Sequence, residues 1–285
     1  MKPAEAFLSA AWHASLGLRF ATRQHATYLA NNAHVGPLRV QKALYPEGPE
    51  TCHCIILHPP AGIADGDSLQ IHIHAQSGSK ALLTTPGAGK WYRAGSDDGG
   101  GASQRVCIQV ESGAFVEWLP QENIVFDGAR ASMVTAVELD EGAGFIGLDT
   151  VCLGRRESGE QFKRGSLRLA TDLRLAGRAL WHERGLIAGG CQLMQSSIGL
   201  AGFSLCSTLL AAGPTIDDDT LAACRSVEPG ERDAQGGFTR MPSLLIGRYL
   251  GHSAQAARDW FLAAFERLRP AMSARQSHAP RIWNT

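Results

Sequence analysis

Cysteines and histidines that could bind a metal ion are concentrated between positions 52 and 74 of the sequence, at Cys52, Cys54, His58, His72 and His74. On a β-strand, residues two apart project from the same face, so the two cysteines, and likewise the last two histidines, would each present paired ligands. Thiolates and imidazoles are ligands for zinc and nickel. The same residues fit a simpler interpretation, with the cysteines in the core and the histidines on the solvent face of an edge strand.

Three carboxylates stand in apolar or glycine-rich surroundings, at Asp67, Asp149 and Glu183. Asp149 lies inside the run 145–153, which is otherwise uncharged, and Asp67 follows a glycine-containing bend. A buried carboxylate needs a partner of opposite charge, a metal ion or a changed protonation state. Pairing with a neighbouring arginine is the simpler interpretation, and the nearby candidates are Arg155, Arg156 and Arg184.

The string Pro86-Gly87-Ala88-Gly89-Lys90 resembles part of a phosphate-binding loop but lacks the ends that such a loop requires. The loop needs glycine at its first position and serine or threonine after the lysine, where this sequence has Thr84 and Trp91. The sequence also contains no serine-nucleophile elbow, zinc-protease motif or dinucleotide fingerprint. It therefore predicts no nucleotide site, and no motif supports an enzymatic function.

The composition is that of a folded protein, with 44% hydrophobic and 19% charged residues in a chain of 285. Basic and acidic residues number 27 each, so no basic field is present to bind nucleic acid. The seven cysteines have irregular spacing and form no CxxC pair, which favours a reducing cytoplasm over a disulfide framework. Because the first residues also lack the pattern of a signal peptide, we expect a cytoplasmic protein.

One segment, residues 185–216, has no charged residue and is long enough to cross a bilayer. It contains several serines, glutamines and glycines, however, and from Gly202 onward apolar and polar residues alternate. We therefore expect buried strands in this segment, and no membrane partner.

Alternation of apolar and polar residues predicts strands at residues 12–20, 69–75 and 106–110. Turn-forming clusters separate such runs, including a glycine-rich stretch near Gly99 that we expect to form a loop. Many short strands are typical of a sandwich, barrel or coiled sheet. We see no linker that divides the chain, so we expect one domain over residues 1–285.

Two helices are predicted in the C-terminal third of the chain. The first follows three aspartates and covers about residues 220–225, where carboxylates suit a helix N-terminus. The second begins after Ser253, a residue suited to an N-cap, and carries an apolar stripe over about residues 253–269. Proline disfavours helix continuation, so we expect Pro270 to end it.

Several unusual strings occur in a fixed order across nearly the whole chain: HVGPLRVQK at 34–42, LHPPAGIADGD at 57–67, TTPGAGKWYR at 84–93, EWLPQE at 117–122, CLGR at 152–155 and PRIWNT at 280–285. Together they resemble the urease accessory protein D family (UreD, also called UreH). The second string is similar to the family's HPPGGIVGGD, with Ala61 and Asp65 in place of glycines. We expect Ala61 to adopt an ordinary backbone conformation, and Asp65 to alter the bend or to add another carboxylate at the mouth of an internal passage.

This resemblance implies a mainly β chain built as a single large coiled, β-helix-like sheet with two helices in its C-terminal third. It implies no catalytic activity of its own and no tightly bound cofactor. It implies a complex with urease accessory protein F, with the GTPase urease accessory protein G and with apo-urease. In that complex nickel would pass from G through F and D to the urease active site.

A nickel conduit that binds its cargo too tightly would fail, because imidazole and thiolate clusters hold nickel strongly. Separated carboxylates and water suit transit better. We therefore expect Asp67, Asp149 and Glu183 to line a wet internal passage, and we consider Cys52, Cys54, His58, His72 and His74 less suited to it.

Three alternative functions remain open on the sequence. The chain could be a metal-dependent hydrolase that uses the cysteines and histidines between 52 and 74. It could also be a purely structural assembly factor that binds urease without carrying nickel. The third alternative is a β-sheet binding module unrelated to urease.

Overall fold

The structure is a computed structural model that describes residues 11–95 and 100–284. The described residues form these strands: His13–Arg23 (β1), Ala26–Val35 (β2), Arg39–Val40 (β3), Thr51–Leu57 (β4), Ser68–Ala75 (β5), Lys80–Thr84 (β6), Gly89–Trp91 (β7), Ala102–Val110 (β8), Phe115–Leu119 (β9), Asn123–Val125 (β10), Arg130–Leu139 (β11), Gly144–Leu153 (β12), Ser166–Leu175 (β13), Arg178–Ala188 (β14), Leu205–Ala212 (β15), Gln235–Met241 (β16) and Leu244–Gly251 (β17). The α-helices are Gln192–Gln195 (α1), Asp218–Arg225 (α2) and Ala254–Ser273 (α3).

The strands divide between two mixed sheets. The first sheet has the order β14-β13-β11-β8-β5-β1-β2, and the second has the order β16-β17-β15-β12-β9-β6-β4-β3, with β10 and β7 attached beside β12. From β4 to β13 the longer strands alternate between the sheets, and their neighbours within each sheet run parallel. The last strands of each sheet pair antiparallel.

The prediction of a mainly β chain is confirmed, and the three strands predicted from alternation lie in β1, β5 and β8. The prediction of one coiled, β-helix-like sheet is not confirmed, because the strands form two separate sheets. Alternation reveals which face of a strand is buried, but it does not reveal which strand lies beside it. The single domain over residues 1–285 stays a prediction, and part of the glycine-rich loop near Gly99 lies outside the described residues.

Two apolar layers hold the molecule together. The layer between the sheets includes Leu16 and Ile71 of the first sheet and Val116 and Phe145 of the second. The other layer packs α3 against the opposite face of the second sheet, with Phe261 and other aromatic side chains fully buried. The order of layers is therefore sheet, sheet, helices.

Both predicted helices are present, but the second continues past its predicted end. Asp217 caps α2 by accepting a hydrogen bond from the backbone N–H of Thr220, at 2.7 Å. Ser253 caps α3, which runs through Pro270 to Ser273. Proline removes only the N–H that would bond to the carbonyl of Glu266, and since Glu266 is exposed, water can satisfy that carbonyl.

The uncharged segment 185–216 contains the end of β14, the one-turn helix α1 and strand β15. Helix α1 was not predicted, because four residues are too few to show a helical period. Within the described part of the chain, no helix has the length and apolarity needed to cross a membrane.

Candidate functional site

Two rows of polar residues face each other across a cavity between the sheets. On the second sheet Asp149, Thr208 and Arg248 lie in register across β12, β15 and β17. On the first sheet Thr171 of β13 lies in register with Glu183 of β14. Residues in register on neighbouring strands share a face, and all five line one cavity of about 530 Å³. The remaining lining is largely apolar, so these groups provide the chemistry of the cavity.

Glu183 is fully engaged by donors from both sheets. Its Oε1 accepts a hydrogen bond from Nη2 of Arg248 at 2.7 Å, and its Oε2 accepts one from Nε1 of Trp181 at 3.2 Å. Arg248 also donates from Nη1 to Oγ1 of Thr208 at 2.7 Å, and its guanidinium lies 5.7 Å from the centre of the Trp181 ring. The ion pair between Glu183 and Arg248 therefore bridges the two sheets.

Asp149 differs, because its carboxylate forms no hydrogen bond or ion pair with any described residue. Burial, followed by the nearby charge of Glu183, raises the pKa of Asp149 to about 6. The group is therefore mostly ionised at neutral pH while it faces the cavity without a protein partner. Water or a cation is the natural ligand for such a carboxylate.

Cys206 also lines this cavity, two residues from Thr208 on the same strand face. Burial, with a further contribution from Asp149, raises the pKa of Cys206 to about 12. The thiol therefore stays neutral, and a neutral thiol is a poor metal ligand because metals bind the thiolate. The oxygen groups are therefore the donors that this cavity would offer to a metal ion.

Asp67 lies away from this cavity, at the start of β5. Its carboxylate accepts hydrogen bonds from the backbone N–H groups of Trp12 and Ala64, both at 2.8 Å. These bonds hold the turn before β5 against the residue before β1. Asp67 also influences His58, whose pKa burial lowers while the charge of Asp67 acts in the opposite direction.

A second cavity, of about 330 Å³, is lined in part by His58, the residue that follows β4. Like the first cavity, it is bounded by both sheets, with Ile71 on one side and Ile56 on the other. The indole of Trp118 borders both cavities. The space between the sheets is therefore divided into two chambers at Trp118, with Asp149 and Glu183 in one and His58 beside the other.

The two positions at which glycines are replaced behave in the opposite way to our expectation. Ala61 has a φ of 61°, so it does adopt the left-handed conformation that glycine favours. Asp65 has an ordinary φ, and its carboxylate accepts hydrogen bonds from the backbone N–H groups of Gly95 and Gly101 at 3.2 and 3.0 Å. It braces the two ends of the glycine-rich stretch and does not line either cavity.

The structure does not bring the cysteines and histidines between 52 and 74 together. Cys52 and Cys54 are fully buried in the core on β4, whereas His72 and His74 lie on the outer face of β5. His74 pairs there with Glu111, at 2.7 Å. The described residues contain no group of three or more His, Cys, Asp or Glu side chains that could hold a metal ion. The two cysteines therefore match the simpler interpretation. The two histidines do lie on a solvent face, but β5 pairs with β1 on one side and with β8 on the other, so the prediction of an edge strand is wrong.

The arginine that pairs with Glu183 is not one of the three that we expected from the sequence. Arg184 pairs with Asp172 on the outer face, at 2.8 Å, because neighbours along a strand point to opposite faces. The partner of Glu183 is Arg248, 65 positions later in the chain. One sequence signal could have found it, since Arg248 is the only charged residue in the run 244–251.

Another buried charge network, which the sequence did not reveal, joins α3 to the second sheet. Arg269, only 1% exposed, makes hydrogen bonds to both carboxylate oxygens of Glu117 at 2.6 and 2.9 Å. It also binds Glu47, which accepts a hydrogen bond from His53. The network lies in the layer between the second sheet and the helices and anchors α3.

Comparisons with known proteins agree on one family. A family model described as UreD urease accessory protein matches residues 13–284 of the chain. A urease accessory protein UreD of Dechloromonas aromatica (strain RCB) is 50% identical over 280 residues, which cover 97% of this chain and 96% of that protein. A protein of the same name from Azoarcus sp. (strain BH72) is 47% identical over 274 residues, covering 96% of this chain and 94% of that protein.

Proposed function

Because this chain belongs to the UreD urease accessory protein family, we propose that it matures urease by carrying nickel through the space between its two sheets. In this proposal it is a cytoplasmic scaffold without catalytic activity. It binds apo-urease and the accessory proteins F and G, and nickel is its cargo. The family membership supports the role in urease maturation, and the cavity supports the route.

The unpartnered carboxylate of Asp149 is the observation that carries the proposal. An ionised carboxylate without a protein partner, facing a cavity, attracts a divalent cation. Glu183 supplies a second carboxylate in the same chamber. Two carboxylates and no thiolate form a weak site, which releases nickel as readily as it accepts it.

The two chambers on either side of Trp118 supply a path longer than one cavity. His58 borders the second chamber, and the negative charge of Asp67 acts to raise its pKa against the effect of burial. In the proposed route Asp67 adds negative potential near that chamber, although its oxygens already accept two backbone N–H groups. Asp149 and Glu183 then hold the cation in the first chamber.

The proposal is tested in cells that express the cognate urease subunits and the other accessory proteins, with nickel supplied. Urease activity and bound nickel per active site are compared for the wild type, Asp149→Asn and Glu183→Gln. Asp172→Asn is the matched control, since Asp172 is a carboxylate of the outer sheet face that pairs with His182 and Arg184. Co-purification with urease reports whether the complex still assembles.

We expect both cavity variants to co-purify with urease. Urease activity and bound nickel should fall about tenfold, which corresponds to roughly 1.4 kcal/mol in the free energy of nickel transfer. The outer-face variant should activate urease normally. If the two cavity variants activate urease fully, while removal of the whole chain abolishes activation, the protein is a structural assembly factor and the transit route is wrong.

A further inference from the structure

Among the residues that the structure describes, Arg248 is the only basic one that lines the chamber of Asp149 and Glu183. It reaches from the second sheet to Glu183 on the first, at 2.7 Å. We infer that Arg248 is a removable counter-ion that closes this chamber to divalent cations until its guanidinium moves off Glu183. The inference rests on the proposed function for its biological role, but its physical content concerns the isolated chain alone.

The charges that line the chamber support this role. The described residues of its lining include two carboxylates and one guanidinium, which together carry a net charge of −1 when all three are ionised. A divalent cation that joined all three groups would leave an excess charge of +1 in a largely apolar space, which is unfavourable. With Arg248 turned away, the charge of the same cation would balance the charges of the two carboxylates. Occupation by a metal and by the guanidinium therefore compete.

The hydrogen bonds of Glu183 support the same competition. Oε1 accepts a hydrogen bond from Arg248 and Oε2 accepts one from Trp181, so a cation at Oε1 would have to share that oxygen with a positively charged guanidinium. Movement of Arg248 would free Oε1 while Trp181 continued to orient the carboxylate. Thr208, which also accepts a hydrogen bond from Arg248, would be freed in the same step.

Arg248 is placed where it can move. Its side chain is 46% exposed and that of Glu183 is 33% exposed, so the pair lies at the open mouth of the chamber. Ion pairs with this exposure contribute little net free energy, because water screens and replaces them. Arg269, by contrast, is 1% exposed and is held by two buried carboxylates. The first arginine is suited to a gate and the second to a fixed anchor.

The test measures Mn²⁺ binding to the purified full chain by the loss of the free-ion signal in electron paramagnetic resonance. Mn²⁺ is the probe because carboxylate oxygens suit it, whereas surface imidazoles would dominate the binding of Ni²⁺. The variants are Arg248→Gln and Arg248→Lys. Arg184→Gln is the matched control, since Arg184 is 48% exposed and forms a 2.8 Å ion pair on the outer face.

We expect Arg248→Gln to bind one Mn²⁺ at least about tenfold more tightly than the wild type, a change of ~1.4 kcal/mol. Arg184→Gln should bind like the wild type, and Arg248→Lys, which keeps the charge, should show no gain. The added substitution Asp149→Asn should abolish the gain. Thermal melting of each variant verifies that it is folded. If the glutamine variant does not fold, Arg248→Met, which also removes the charge, takes its place and should show the same gain.

Equal affinity of the wild type and Arg248→Gln would overturn the inference, and so would a gain that survives Asp149→Asn. These results are independent of urease activation. Normal activation by Asp149→Asn would reject the transit route even if the gate were correct. Impaired activation by that variant, combined with unchanged Mn²⁺ binding in Arg248→Gln, would reject the gate and leave the route standing.

Discussion

Asp67, which we expected to line a nickel passage, has a carboxylate whose hydrogen bonds hold a turn in place. Both of its oxygens accept backbone N–H groups, from Trp12 and Ala64 at 2.8 Å. A carboxylate that is bound in this way stabilises the turn that precedes β5, because hydrogen bonds to a charged acceptor are stronger than neutral ones. Its effect on nickel delivery must therefore be separated from its effect on folding.

We predict that Asp67→Ala lowers the free energy of unfolding by about 2 kcal/mol, since it leaves two backbone donors without their acceptor. The melting temperature should fall by roughly 5 °C in a chain of this size. Differential scanning calorimetry measures both. The control is Asp140→Ala, at an exposed aspartate whose side chain makes no hydrogen bond or ion pair with the described residues. If both variants melt like the wild type, the anchoring role of Asp67 is wrong.

The sequence predicted part of the site for a clear physical reason. An isolated charge in an apolar run marks a group that needs a special environment, and this marked Asp149 and Glu183. It could not reveal that Glu183 would have a partner and Asp149 none, since the partner, Arg248, comes from a distant strand. Thr171 and Thr208 carry no sequence signal of any kind, because threonine is common in strands.

At the scale of elements, α3 is held by a buried charge network as well as by its apolar stripe. The stripe and the Ser253 cap were predictable from local sequence. The network was not, because Arg269 lies 222 positions from Glu47 and 152 from Glu117. Strand order was unpredictable for the same reason, since a pattern along one strand does not identify its neighbour.

Glu47 makes this anchor sensitive to acid. Burial alone would raise the pKa of Glu47, but hydrogen bonds from His53 and Arg269 outweigh it and lower the pKa from 4.5 to about 2. A depressed carboxylate pKa stabilises the folded state above the unfolded value, and this stabilisation is lost as the pH falls from about 4.5 toward 2.

We predict that Glu47→Gln lowers the free energy of unfolding by roughly 3 kcal/mol at pH 7, because it leaves Arg269 with only one buried carboxylate. The difference from the wild type should shrink steadily below pH 4.5. Urea denaturation at pH 7, 5, 4 and 3 provides the measurement. Glu50→Gln is the control, since Glu50 is 51% exposed. A difference that stays constant with pH would contradict the ionised state of Glu47.

On the scale of the whole molecule, the two sheets pack face to face around an interior that is not completely filled. Both chambers lie in the layer between the sheets, on either side of Trp118. The open mouth of the first chamber is flanked by the uncharged segment 185–216, where Leu186, Leu193 and Ile198 are exposed by 54%, 42% and 94%. An exposed apolar rim of this kind favours association.

The formal net charge of zero at pH 7 adds to this tendency, because electrostatic repulsion between copies is weak. We therefore predict that the chain alone self-associates through the rim, and that Ile198→Lys weakens this association about tenfold in dissociation constant, or ~1.4 kcal/mol. Sedimentation velocity over a concentration series measures it. Val35→Lys adds the same charge at a 65% exposed apolar residue on β2, at the other edge of the first sheet. Equal effects of the two variants would assign the change to net charge and reject the rim as the surface of association.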